Sequence, residues 1–309
     1  MNKQNTAVLL IGYGGPEKPE DVIPFLKNVA SGFSIPEDRL KDVAHHYELI
    51  GGRSPLNELT EKQAKKLEKF LSEDGYEIPI FIGMRNWHPF ISDSVKKIAD
   101  LGVNRAIGVI MALHQCDASW ERYQRDVNEA VAGSGTEIEF VYTGPLFDNP
   151  LFVESSANQI RKCFEKIEGK ELESTRLIFT AHSIPVKMAE VSPYVAQFES
   201  SARSVAENLQ HKNWMIAYQS RSGSPSVPWL EPDICSVIEE LGTKGVRNIV
   251  VQAIGFMCDH VEVLYDIGIE ARETAEKAGV NLHIAKTVND DDLFIKAIRD
   301  EVVKQIVHQ

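Results

Sequence analysis

The chain has 309 residues, 43% of them hydrophobic and 25% charged, with a formal net charge of −12. This is the profile of a soluble globular enzyme, long enough for one large domain or two of ordinary size. The acidic balance argues against sequence-independent nucleic-acid binding, which needs a basic stripe. It leaves room for an anionic small ligand held by a few local cations.

No apolar run reaches the roughly 18 residues that a transmembrane helix needs. Residues 1–5 are expected to lead directly into a strand without the apolar stretch of a signal peptide, so a cytoplasmic location is expected. The cysteines Cys116, Cys163, Cys235 and Cys258 form no C-x-x-C pair, and buried free thiols are their ordinary reading.

In chain order, apolar runs predict strands at 7–11, 78–82, 106–111 and 138–142, then at 177–181, 215–218, 248–253 and 282–285. Helical patterns fall between them, over 59–72, 93–100, 119–132, 150–167 and 233–241. Near-continuous apolar strands mark a parallel sheet covered on both faces. Their alternation with helices implies right-handed βαβ units. The fold class is therefore α/β, with two Rossmann-like lobes, each a four-stranded parallel sheet flanked by helices.

The two sets of strands resemble a duplication. Gly102-Val103-Asn104-Arg105-Ala106 is similar to Gly245-Val246-Arg247-Asn248-Ile249, and with a one-residue gap Cys116-Asp117 matches Cys258-Asp259. Tyr123 then aligns with Tyr265, and Trp120 stands where Glu262 stands. The lobes are expected at 1–148 and 149–309, with the ionisable work in the second.

Two segments carry the chemistry. Thr180-Ala181-His182-Ser183-Ile184-Pro185 follows the apolar run 177–179, and Asp259-His260-Val261-Glu262 follows the run 249–251. Both put ionisable groups where a buried strand ends, which is where open α/β sheets bind ligands. A lone histidine is more often a satisfied core residue. A carboxylate at a comparable strand end shifts the reading toward metal binding or proton transfer.

Glu262, Asp266 and Glu270 recur at steps of four and line one side of a helix. Charge runs are usually solvated faces. Hard oxygen ligands in a row can also pass a hydrated cation along by ligand exchange. Widening toward a π-helix would align that step more closely, and π-bulges often mark functional sites.

The turn Gly12-Tyr13-Gly14-Gly15-Pro16 is no G-x-G-x-x-G fingerprint, but its glycines allow close ligand approach and would let Tyr13 project. The loops 46–57 and 83–89 combine Gly, aromatics, Ser and Arg, types suited to a planar ligand with carboxylate tails. Gln219-Ser220-Arg221 and Trp229-Leu230-Glu231-Pro232 form the matching loop of the second half.

Together with Gly51-Gly52-Arg53-Ser54-Pro55 and Gly83-Met84-Arg85-Asn86-Trp87, these segments resemble the ferrochelatase family, in family order and over nearly the whole chain. The resemblance implies a two-lobed, type II chelatase-like fold and a lyase that inserts ferrous iron into a porphyrin in heme biosynthesis. It implies His182 and Glu262 as catalytic and metal-binding, with Asp266 and Glu270 continuing the metal path. Tyr13, Arg53, Ser54, Arg85 and Tyr123 are the expected substrate-binding residues. Tyr13 and Ser54 favour coproporphyrin III, and protoporphyrin IX is the alternative.

His46 stands where a stronger cation is often found, and Gly268 where Asp is. A cobalt or nickel chelatase and a two-lobed metal carrier are the more distant alternatives. No organic cofactor is expected, Fe2+ is a substrate, and no iron–sulfur cluster is expected because no Cys follows Cys258. The expected partners are porphyrin and ferrous iron, without nucleic acid or a transmembrane segment. The resemblance leaves room for transient contact with adjacent heme-pathway enzymes.

Overall fold

A computed structural model describes residues 6–32, 37–222 and 226–307. The direct lead of residues 1–5 into the first strand lies outside the described residues. The strands are β1 (Thr6–Gly12), β2 (Ile80–Met84), β3 (Arg105–Ile110), β4 (Glu139–Tyr142), β5 (Arg176–His182), β6 (Trp214–Gln219), β7 (Asn248–Gln252) and β8 (Asn281–Ala285). They form two four-stranded sheets in the orders β2-β1-β3-β4 and β6-β5-β7-β8. All pairings are parallel. The expected α/β class and the four-plus-four arrangement are observed.

Burial explains why the strands read as apolar runs rather than as alternating ones. Residues 7–11 of β1 and 177–181 of β5 are wholly buried, as is β7, because helices cover both faces of each sheet. The edge strands β4 and β8 begin exposed and are only partly buried. Each sheet has its own core. One groups Leu9, Ile11, Ile91, Val95, Ile98 and Val127. The other groups Ile178, Ile238, Ile249, Val251, Ile267 and Ala271.

In each sheet the chain leaves the first strand toward one neighbour and later crosses to the other side. The ends of β1 and β3, and of β5 and β7, are therefore topological switch points, where crevices form. Gly255 serves the second one. Its N–H donates to the Thr180 carbonyl at 3.0 Å, and a Cβ there would come within 2.6 Å of the Ala181 Cβ. Only glycine lets the chain leaving β7 lie so close against the end of β5.

The chain divides into two compact units: residues 1–112, 118–146 and 290–309 in one, and residues 113–117 and 147–289 in the other. The main boundary falls between 146 and 147, close to the expected 148. The expectation that residues 149–309 stay together is corrected. Helix Asp292–Val307 groups with the first unit and buries Phe294, Ile295, Ile298 and Val302. It is tied there by Lys66 Nζ to Asp290 at 3.1 Å and Asp292 at 2.9 Å, and by Arg299 to Asp74 at 2.7 Å. Division into contiguous halves missed a terminal helix that packs back on the opening half. No helix among the described residues is long and apolar enough to cross a membrane.

Candidate active site

His182 is the last residue of β5, in parallel register with Gln219, the last residue of β6. Its ring Nδ1 bonds the Ser183 carbonyl. A carbonyl only accepts, so Nδ1 carries the proton and the neutral ring keeps its lone pair on Nε2. That atom lies 3.7 Å from Oε1 of Glu262. Both side chains keep about a third of their surface open, 28% and 34%.

The Tyr194 hydroxyl donates to the His182 carbonyl at 2.9 Å. Burial pushes that phenol well above its ordinary pKa, so it stays a neutral donor. Trp229 lies 6.5 Å from the His182 ring, tilted by 40°, and its buried indole N–H finds no acceptor among the described residues.

Glu262 has a second imidazole neighbour. Nε2 of His260 lies 3.8 Å from Glu262 Oε2, and the His260 ring meets Phe256 edge-on at 4.5 Å. Burial lowers the His260 pKa, partly offset by the Glu262 charge. Asp259 clasps the preceding turn. It accepts from the Thr287 hydroxyl at 2.9 Å and from the Asn289 amide at 2.9 Å, while its own N–H donates to Asn289 Oδ1 at 2.8 Å.

Beyond Glu262 the backbone forms a π-helix, Val263–Glu270, the widening that the acid spacing suggested. Val263 and Ile267 point into the core. Asp266 accepts a hydrogen bond from the Ser220 hydroxyl. Burial, and then the Glu262 charge, push the Asp266 carboxyl up to about 8. It is therefore mainly protonated at neutral pH, and a divalent cation arriving there would displace the proton. Glu270 is exposed, and desolvation with Asp233 and Glu273 nearby raises it more mildly. Among the described residues no three His, Cys, Asp or Glu converge as a closed metal cage.

The candidates of the first unit fall into two groups. Tyr13, Ser54 and Arg85 lie around the turn after β1. Tyr13 is 40% exposed, and its ring meets Phe25 edge-on at 6.3 Å. Gly14, at φ +83°, makes the turn, and Arg85 N–H donates to the Gly12 carbonyl at 2.9 Å. Arg85 pairs through Nε with Asp126 at 3.2 Å, and Arg122 holds the other oxygen of Asp126 at 3.1 Å.

Ser54 is buried directly behind Gly15, and its hydroxyl accepts the Leu56 N–H at 3.3 Å. Arg53 is exposed, with Glu58 at 3.8 Å. Tyr123 does not join them. It is 5% exposed within the first unit's core, and its placement does not support the substrate contact expected of it. Its counterpart by position in the second half, Tyr265, is half-buried.

His260, Gln219, Ser220 and Tyr194 were missed as site residues. The signal for Gln219 was its place at the end of the strand beside β5. The signal for His260 was its position two residues before Glu262.

A family model described as Ferrochelatase matches residues 5–306. The chain is 37% identical over 306 residues to a coproporphyrin III ferrochelatase of Mycolicibacterium smegmatis, covering 98% of this chain and 90% of that protein. It is 35% identical over 294 residues to a ferrochelatase of Rhodopirellula baltica, covering 94% and 83%. Among solved structures, the sirohydrochlorin chelatase of Bacillus subtilis subspecies spizizenii in complex with cobalt shares the fold. Its TM-score is 0.59 at 11% identity, covering 97% of this chain and 94% of that one. With a match over nearly all of its length and relatives above a third identical, the chain belongs to the ferrochelatase family.

Proposed function

We propose that this protein inserts ferrous iron into coproporphyrin III, with His182 and Glu262 as the groups that meet the metal and the pyrrole protons. The observation that carries the chemistry is the His182–Glu262 pair at the switch point of the second sheet, 3.7 Å apart and open to solvent.

Insertion replaces two pyrrole N–H protons by one Fe2+, so two protons must leave the ring as the metal enters. His182 Nε2, with its lone pair free, accepts a proton from a pyrrole nitrogen, and Glu262 provides a second acceptor beside it. Asp266 and Glu270 continue outward and supply hard oxygen ligands to the incoming cation. The reaction calls for no organic cofactor and no iron–sulfur cluster. It is of the lyase class and, on this reading, runs in the cytoplasm.

The choice of porphyrin rests on two supports. The M. smegmatis relative is named for coproporphyrin III. Tyr13 and Arg53 are exposed donors in the first unit. Coproporphyrin carries propionates where protoporphyrin IX has vinyl groups, and each charge-assisted hydrogen bond contributes about 1.5–3 kcal/mol. Arg85, already paired to Asp126, would have to exchange one carboxylate for another.

The test is anaerobic ferrous insertion with coproporphyrin III and protoporphyrin IX side by side. A higher kcat/KM for coproporphyrin is expected. A preference for protoporphyrin overturns the porphyrin choice alone, and metallation of neither porphyrin overturns the whole reading.

A further inference from the structure

We infer that Gln219 is a positioning residue that sets the distance between His182 and Glu262. The inference rests on the reading above, in which those two side chains meet the metal and the protons.

Gln219 is 1% exposed, and its polar groups reach two segments, the end of β5 and the start of the π-helix. Its backbone carbonyl accepts the Ser183 N–H at 2.7 Å, immediately after His182. Its side-chain Oε1 accepts the Thr180 hydroxyl at 2.7 Å, two residues before His182. Its Nε2 donates to the Glu262 backbone carbonyl at 2.7 Å. The Gln219 side chain thus links Thr180 of β5 to the residue that opens the π-helix, while its backbone carbonyl holds the residue after His182.

No ladder joins β6 to the π-helix, so that link falls to a side chain. The amide suits it because it donates and accepts at once, in a fixed plane. Thr180 holds the oxygen end, which turns the nitrogen end toward Glu262. The next residue, Ser220, sits at φ +64° and donates to Asp266, so the same strand end holds the π-helix at a second point. A buried group with satisfied partners on several elements defines one geometry sharply. Here that geometry is the gap in which His182 and Glu262 face each other.

The experiment compares Gln219→Leu, Gln219→Glu and Thr180→Val with the wild type. The readouts are steady-state ferrous insertion, porphyrin affinity by fluorescence quenching, and thermal unfolding. Gln219→Leu removes every side-chain bond of the amide, to Thr180, to Glu262 and to the Asp266 carboxyl. Gln219→Glu is nearly isosteric, keeps the acceptor for Thr180 and loses the donor to Glu262, so it serves if the leucine variant folds poorly. Thr180→Val removes only the brace and leaves the donor in place.

A fall of roughly tenfold to hundredfold in kcat is expected for both Gln219 variants, the range typical of lost outer-shell partners. Porphyrin affinity should stay at the wild-type level, and Thr180→Val, which keeps the donor but loses its brace, should fall between wild type and Gln219→Glu in kcat at a comparable loss of melting temperature. The inference is overturned if Gln219→Glu keeps wild-type kcat. It is also overturned if Thr180→Val loses as much activity as Gln219→Glu at equal stability, because the effect would then follow folding alone. A wild-type protein that metallates no porphyrin would instead sink the functional reading on which the inference rests.

Discussion

Two π-helical segments follow the third strand of each sheet, Asp117–Glu121 and Val263–Glu270, and they carry opposite cargo. In the first, Trp120 is 4% exposed, belongs to the first unit's core, and donates its indole N–H to the Ala112 carbonyl at 3.0 Å. In the second, Glu262 opens the segment with a third of its side chain in solvent and an imidazole on either side.

The widened turn is therefore not a mark of chemistry by itself. An indole there buries a large apolar surface and needs one acceptor. A carboxylate there must stay hydrated or find partners, because burial without them is costly. The same backbone feature becomes packing in one half and a reactive rim in the other, depending on one side chain.

Substitutions in the two segments should separate these roles. His182→Ala and Glu262→Gln are expected to lower kcat by a factor of about 100 or more, the range of lost acid–base catalysis, with little change in melting temperature. Near-normal turnover in either would move the chemistry away from this pair.

Gly255→Ala should come next. Its new Cβ meets Ala181 at 2.6 Å, and such overpacking costs about 1–3 kcal/mol and shifts the chain beside His182. Denaturant unfolding and insertion assays should both register it, and an unaffected protein would mean that the loop after β7 has room to spare.

Asp266→Asn should raise the KM for iron several-fold while leaving kcat closer to wild type, since on the proposed reading Asp266 only hands the cation on to Glu262. An equal loss in both parameters would place it in the chemical step instead.

Trp120→Phe, the counterpart of Glu262→Gln, should leave kcat intact and cost about 1 kcal/mol for the lost hydrogen bond. A loss of turnover without a loss of stability would contradict the packing role.

The last test concerns pH. His114 precedes the first π-segment, bonds Ser201 at 3.1 Å, and packs against Tyr194 and Phe198. Burial lowers its pKa to about 3 from an ordinary 6.5. Between those values the unfolded chain binds a proton that the folded chain refuses, so stability falls as pH drops below 6.5 and levels off near 3. The slope is at most about 1.4 kcal/mol per pH unit. His114→Gln should flatten the acid side of a melting-temperature profile, and an unchanged profile would assign the acid sensitivity to other groups.

The eight strands could be read from the sequence to within about two residues, because strands buried on both faces leave continuous apolar runs. The position of His182 at the end of β5 could be read because a buried apolar run stops there, whereas Glu262 lies ten residues beyond the end of β7 and only its acid spacing marked it. Helices Val22–Val29 and Glu37–Leu49 were not anticipated, since the alternation of strands and helices calls for only one helix per crossover, and Tyr194–Asn208 was not named although the β5–β6 crossover calls for a helix. Gln219 was seen as part of a segment but not as a link. Its role depends on three partners far apart in sequence, and no local pattern announces them. Tyr123 was expected at the site from its sequence alone, and burial in the first unit's core is a tertiary fact that its sequence position does not show.

The return of helix Asp292–Val307 to the first unit has a consequence for the order of events during synthesis. A nascent chain emerges from its N-terminus, and domains tend to fold as their residues appear. Residues 147–289 hold all four strands of the second sheet. The first unit has its own four strands earlier but lacks the helix that contributes Phe294, Ile295 and Ile298 to its packing until residues 292–307 have emerged. The unit that begins first is thus completed after the second. In the interval the apolar surface that this helix covers on the first unit is bare, and exposed apolar surface of that kind favours aggregation.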